Sequence, residues 1–123
     1  MGKLLVVGSL NMDTVIDVAK MPEPGETILG KKYKLFPGGK GANQAYAAGK
    51  LGCNVSMIGL VGDDNNGKRL LENLESVGVN TRGIGKVEHV PSGTAFITVN
   101  QEGENSIVVI PGANYEISKE YID

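Results

Sequence analysis

Cysteine, histidine, charge imbalance and long apolar runs are all scarce in this 123-residue chain, and each scarcity closes off a class of function. A single cysteine, Cys53, cannot form an internal disulfide, so its expected role is that of a small, buried apolar side chain. The lone histidine, His89, has no second His or Cys nearby in sequence to share a metal ion, and it too reads as structural. With 12 Lys and Arg against 14 Asp and Glu, the formal charge is −2 and the pI near 5.4. No basic cluster breaks that balance, so the electrostatic footprint of a nucleic-acid binder is missing. The apolar run Leu4-Leu5-Val6-Val7 is too short for a signal peptide or membrane span, and Val6 stands where a myristoylation motif needs Ser or Thr. A cytosolic protein with no membrane partner is the expectation. Hydrophobic content of 41% and mean hydropathy of −0.08 fit one modest globular core.

Glycine, by contrast, is abundant at 18 residues, and three of these fall within Gly38-Gly39-Lys40-Gly41. Such a cluster costs backbone entropy and is useful where a chain turns tightly or lets a ligand approach its backbone. The following Ala42-Asn43-Gln44-Ala45 begins a helix whose first N–H groups lack intrahelical partners and can face an oxygen-rich ligand. Together with the polar groups of Lys40 and Asn43, the segment reads as a cradle for a polyol or a phosphate, or else as a tight turn that binds nothing. Two better-known glycine motifs do not fit. A Walker loop would need glycine at Lys34 and Ser or Thr at Gly41. A dinucleotide fingerprint lacks its third glycine after Gly39-Lys40-Gly41 and its second after Gly8. A dinucleotide-dependent oxidoreductase is therefore a poor reading.

The order of elements argues for an α/β fold. Residues 3–7 form a β-branched apolar run closed by Gly8, the pattern of a central strand buried on both faces. A small-residue helix over 42–51 stops at Gly52, a second buried strand follows over 54–61, and a second helix carries Leu70, Leu71, Leu74 and Val77 on one stripe before Gly78. Residues 84–87 supply a third strand. Two further pairs of strands, 14–18 with 28–35 and 94–99 with 106–110, read as a separate antiparallel sheet; its hairpin loop is Asn100 to Asn105. Alternation places Ala95, Ile97 and Val99 on one face, and Ile107 and Val109 likewise. Such a sheet needs a ligand, the main sheet or another copy of the chain against its apolar face. Asp63 and Asp64 suit a helix N-terminus better than a calcium loop, whose glycine would fall one position after Gly67. Tyr33, Tyr46 and Phe96 are read as packing residues, and Ser118 as an N-cap.

Five segments in order, Gly8-Ser9-Leu10-Asn11-Met12-Asp13, Pro24-Gly25-Glu26-Thr27, Gly38 to Ala45, Val61-Gly62-Asp63-Asp64, and Gly103-Glu104-Asn105 through Pro111-Gly112-Ala113-Asn114, resemble the ribokinase-like (PfkB) sugar kinase family. The resemblance implies a ribokinase-like α/β fold: a partial, mostly parallel central sheet flanked by helices, plus a small antiparallel β-sheet lid over about 14–36 and 93–110. It implies that Asn11 and Asp13 bind sugar hydroxyls, that Gly39, Lys40 and Asn43 make further sugar contacts, and that Ala95, Ile97 and Val109 cover the sugar from the lid. Without it, turn or helix capping would explain Asn11 and Asp13 equally well. Ribose phosphorylated at its 5-hydroxyl is the implied substrate, with another sugar or a nucleoside as the alternative. ATP and Mg2+ are implied, with a monovalent cation as a further option, yet none is assigned to a residue here. Members of the family are about twice the size of a typical single domain, so residues 1–123 correspond to the amino-terminal portion and the catalytic and ATP-binding half is expected beyond Asp123. The resemblance also implies a homodimer through the lid. Alone, the chain is expected to be inactive, or a noncatalytic sugar-binding or self-associating module.

Overall fold

The computed structural model describes residues 2–118 and 121. Two sheets divide the chain. Strands β1 (Lys3–Val7), β4 (Asn54–Gly62) and β5 (Asn80–Val87) form a parallel sheet in the order β1-β4-β5, while β2 (Asn11–Asp17), β3 (Lys32–Gly38), β6 (Gly93–Val99) and β7 (Asn105–Ile110) form a second in the order β3-β2-β6-β7. Helix α1 (Lys40–Lys50) leads from β3 of the second sheet into β4 of the first, α2 (Asn65–Glu75) connects β4 to β5, and a short 3-10 helix spans Gly112–Glu116. The core joins Val6, Val55 and Met57 of the parallel sheet to Leu70 and Leu74 of α2 and to Leu10 and Met12 at the base of the second sheet. Tyr46 and the half-buried Cys53 pack against it, as their structural readings require. No helix among the described residues is long and apolar enough to cross a membrane.

Three expectations change. First, β1 is an edge strand, not a central one, and leaves Leu4, Leu5 and Val7 44%, 57% and 46% exposed. Its apolar sequence matches a strand covered on both faces, but among the described residues it pairs with β4 alone. Second, the lid sheet is mixed: the β3–β2 and β6–β7 pairs are antiparallel, whereas β2 and β6 run parallel, Asn11 opposite Gly93 through Asp17 opposite Val99. The chain visits α1, β4, α2 and β5 between β3 and β6, and so long a connection permits a parallel pairing that a hairpin cannot. Its bounds shift as well, since β3 runs on through Pro37 at the sheet edge, where a missing N–H costs no ladder bond. Third, Tyr33 and Phe96 are 71% and 42% exposed and do not pack in the core. His89 adopts φ +66° in an exposed turn between β5 and β6. The Tyr121 N–H donates to Ser118 Oγ at 3.2 Å, the contact an N-cap makes, although residues 119 and 120 between them lie outside the described residues.

Asp64 is the N-cap of α2. Its Oδ1 accepts from the Gly67 N–H at 2.8 Å and the Ser92 hydroxyl at 2.7 Å, and its Oδ2 from the Ser92 N–H at 2.9 Å. Ser92 is buried and its Oγ in turn accepts from the Gly62 N–H at 2.9 Å, tying the start of α2 to the approach to β6. Desolvation pushes the Asp64 carboxyl up, but the bonds from Ser92 and Gly67 outweigh it and hold its pKa below the ordinary value of 3.8. A depressed carboxylate contributes stability above that ordinary value and loses it as pH falls through the depressed one. Asp64→Ala is accordingly expected to cost about 1–3 kcal/mol at pH 7, from the lost cap and the stranded Ser92. Urea unfolding should show the gap to the unmutated chain narrowing only below pH 3.8. A gap independent of pH would contradict the assignment.

Candidate sugar site

Register places the expected site residues of the strands, Asn11, Asp13, Ala95, Ile97 and Val109, on one face of the lid sheet. Asn11 opens β2 with Gly38 on one side and Gly93 on the other; Asp13, two residues on, stands between Phe36 and Ala95, and Ala95 pairs with Val109. Period-2 alternation therefore puts Asn11, Asp13, Ala95 and Val109 on a common face, with Ile97 farther out on it beside Val15 and Ile107. The opposite face carries Met12, which is fully buried in the core. Asn11 and Asp13 thus lie inside a strand, and neither caps a helix or turn. Ala95 is buried, whereas Val109 is 53% exposed and lies on an outer strand.

The glycine cradle meets this face at its base. Gly39 is the N-cap of α1 with φ +97° and ψ 135°, a region that side chains rarely enter. A β-carbon there would lie 2.6 Å from the Ser9 carbonyl oxygen and 3.1 Å from the Asn11 nitrogen. The Asp13 carboxylate lies over Gly38, in the space a side chain at that position would fill. Two backbone bonds fix the junction: the Ala42 N–H donates to the Ser9 carbonyl at 3.1 Å and the Asn43 N–H to the Gly39 carbonyl at 2.8 Å. Lys40 and Asn43 project from the first turn of α1 as exposed side chains. The ion pairs found among the described residues, Lys20 with Glu26 and Lys32 with Asp17, include neither Lys40 nor Asp13.

Burial raises the Asp13 pKa above the ordinary 3.8, because lost water disfavours the charged form. An ionised carboxylate is acceptor-only, suited to hydroxyl donors. It also separates the two ligands that the cradle alone would admit. A phosphate, itself anionic and rich in acceptors, would be repelled by Asp13, whereas a polyol offers O–H donors to Asp13 and oxygen acceptors to Asn11 and Lys40. The surface is an open shelf, and larger cavities lie elsewhere. One of about 510 Å3 opens on the other side of the lid between Thr14, Ile16, Tyr33 and Phe96. Lys31 and Lys32 also line it, but no carboxylate or amide side chain does.

Sequence reading missed Asn114, whose side chain holds the Leu10 backbone and touches Asn11. The segment Pro111-Gly112-Ala113-Asn114 was legible as a motif, but a bond across 103 residues leaves no local signal. Among the described residues, no group of three or more His, Cys, Asp or Glu side chains is arranged to hold a metal ion.

The pfkB family carbohydrate kinase profile matches residues 1–122. The chain is 50% identical over 121 residues to a ribokinase of Bacillus subtilis, covering 98% of this chain and 41% of that protein. A Thermotoga maritima ribokinase structure superposes with TM-score 0.89 at 42% identity, covering 98% of this chain and 40% of that one. An Arabidopsis thaliana ribokinase complexed with ribose and ATP superposes with TM-score 0.84 at 38% identity, covering 90% of this chain and 36% of that one. The chain thus spans about two fifths of the length of these relatives. A profile match across nearly every residue, together with the shared fold, shows that the chain belongs to the pfkB family of carbohydrate kinases.

Proposed function

We propose that these 123 residues form the sugar-binding, amino-terminal part of an ATP-dependent kinase that phosphorylates ribose at its 5-hydroxyl. The observation that carries this is the shared face of Asn11 and Asp13 above the Gly38-Gly39 cradle, an acceptor and an amide set where a polyol can meet both. The Arabidopsis relative complexed with ribose and ATP supports the same choice of sugar and phosphoryl donor. In this reading Asp13 and Asn11 orient the hydroxyls, Lys40 and Asn43 close the cradle side, and Ala95, Ile97 and Val109 exclude water. ATP would supply the phosphoryl group and Mg2+ would neutralise its charge, and neither is assigned to a residue here. The catalytic base is not assigned here either, and the chain alone is expected to be inactive. A cytosolic location accords with the single half-buried cysteine.

The lid also supports a homodimer. Strand β7 is an outer strand with Ile107, Val108, Val109 and Ile110 between 44% and 60% exposed, so both its faces are apolar and open. The exposed Leu4, Leu5 and Val7 of β1 favour a second reading for the isolated chain, as a self-associating or sugar-binding fragment without turnover. A coupled ATP and ribose phosphorylation assay on this chain and on the longest polypeptide carrying it separates the readings. Turnover is expected only in the longer form. Turnover by the 123 residues would overturn the division of labour, and a longer form that phosphorylates another sugar or a nucleoside would overturn ribose.

A further inference from the structure

The Leu10 backbone presents one donor and one acceptor to the 3-10 helix, and Asn114 takes both. The Leu10 N–H donates to Asn114 Oδ1 at 3.0 Å, and Asn114 Nδ2 donates back to the Leu10 carbonyl at 3.1 Å. This fixes which end of the amide is which. A backbone N–H only donates and a carbonyl only accepts, so exchanging Oδ1 and Nδ2 of Asn114 would set like against like at both contacts. The remaining hydrogen of Nδ2 reaches the side chain of Asn11, Oδ1 at 2.9 Å. Because Asn114 must donate there, Asn11 must offer its oxygen, and its own amino group becomes the free end. Asn114 is itself held firmly: the Ala113 N–H donates to the Pro91 carbonyl at 2.8 Å, and Ala113 is fully buried. Glycine at position 93 leaves the room in which the two amides meet, since a β-carbon there would strike both.

We infer that Asn114 is a positioning residue that passes the polarity of the Leu10 backbone to Asn11 and thereby sets Asn11 as a hydrogen-bond donor toward the ligand. The site then shows a donor from Asn11 beside an acceptor from Asp13, a pattern that selects hydroxyls able to accept and donate. The orientation stands on geometry alone, and its consequence for sugar affinity rests on the ribose reading.

The test uses the longest polypeptide carrying this sequence, with ribose affinity measured by calorimetry and side-chain amide exchange by NMR on 15N-asparagine-labelled protein. Without sugar, the Asn114 amide protons should exchange slowly and those of Asn11 fast. Asn114→Asp offers only acceptors, so it should turn Asn11 over: the Asn11 amide becomes protected, and ribose binding weakens at least tenfold. Asn114→Ala should weaken binding less, and neither change should add to Asn11→Ala. Protected Asn11 amide protons in the unmutated protein would overturn the orientation, whether or not ribose binds. Asn114 effects that persist in full on Asn11→Ala would overturn the coupling and leave Asn114 as backbone support. Absence of ribose binding by the unmutated protein, with the exchange pattern as expected, would overturn the ribose reading and uphold the orientation.

Discussion

Asp13→Asn is expected to weaken ribose binding by a hundredfold or more while making the ligand-free protein slightly harder to unfold. Hydrogen bonds to a charged acceptor are worth about 1.5–3 kcal/mol each, so a carboxylate shared by two hydroxyls supplies about 3–6 kcal/mol of binding. The amide keeps the shape but turns one acceptor into a donor that faces hydroxyl hydrogens. The gain in stability follows from the raised pKa that desolvation gives Asp13. A carboxyl raised in the folded state contributes stability below its ordinary value of 3.8 and loses it as pH climbs through the raised one. At neutral pH its charge therefore opposes folding, and removing it relieves that cost. Calorimetry with ribose and urea unfolding at pH 7 measure the two effects on one variant. Affinity within threefold of the unmutated protein would remove Asp13 from the site, and lower stability would show that its charge has a partner.

Gly39→Ala should damage fold and site together, at about 2–4 kcal/mol of stability. A methyl group meets the Ser9 carbonyl oxygen at 2.6 Å, the same oxygen that accepts from the Ala42 N–H, so moving it loosens the start of α1. The Asn11 nitrogen lies 3.1 Å from the same methyl position, and the disturbance passes directly to the candidate site. Gly25→Ala is the control, because Gly25 has φ +79° with nothing within 4 Å of the added carbon. It should cost only the backbone penalty of about 1–2 kcal/mol. Urea unfolding of both variants decides the matter, and equal losses would mean that the crowding against Ser9 carries no energy.

The parts legible in the sequence are those that local physics controls. The Leu70 and Leu74 stripe and the Asp64 cap mark α2, Gly52 with φ +91° ends α1, and alternation puts Ala95, Ile97 and Val99 on one face of β6. Each depends on a repeat or a cap within a few residues. The ordered glycine, Asn and Asp segments carried the family resemblance, and the profile match over residues 1–122 bears it out.

Partners across strands were another matter. Apolar content says that β1 wants cover on both faces, but not that it pairs with β4. Alternation gives the face of Ala95 without revealing that β6 lies parallel to β2. Nothing near Asn114 shows that it grips Leu10 and Asn11, more than 100 residues away. By itself, then, the sequence determined the two helices, the alternation within β6 and the family. Tertiary structure alone decided which strands meet, that Asn11 and Asp13 share a face above the glycine cradle, and which end of Asn11 is free. Periodicity and capping act over a few residues, whereas pairing and hydrogen-bond polarity between distant segments exist only once the chain has closed upon itself.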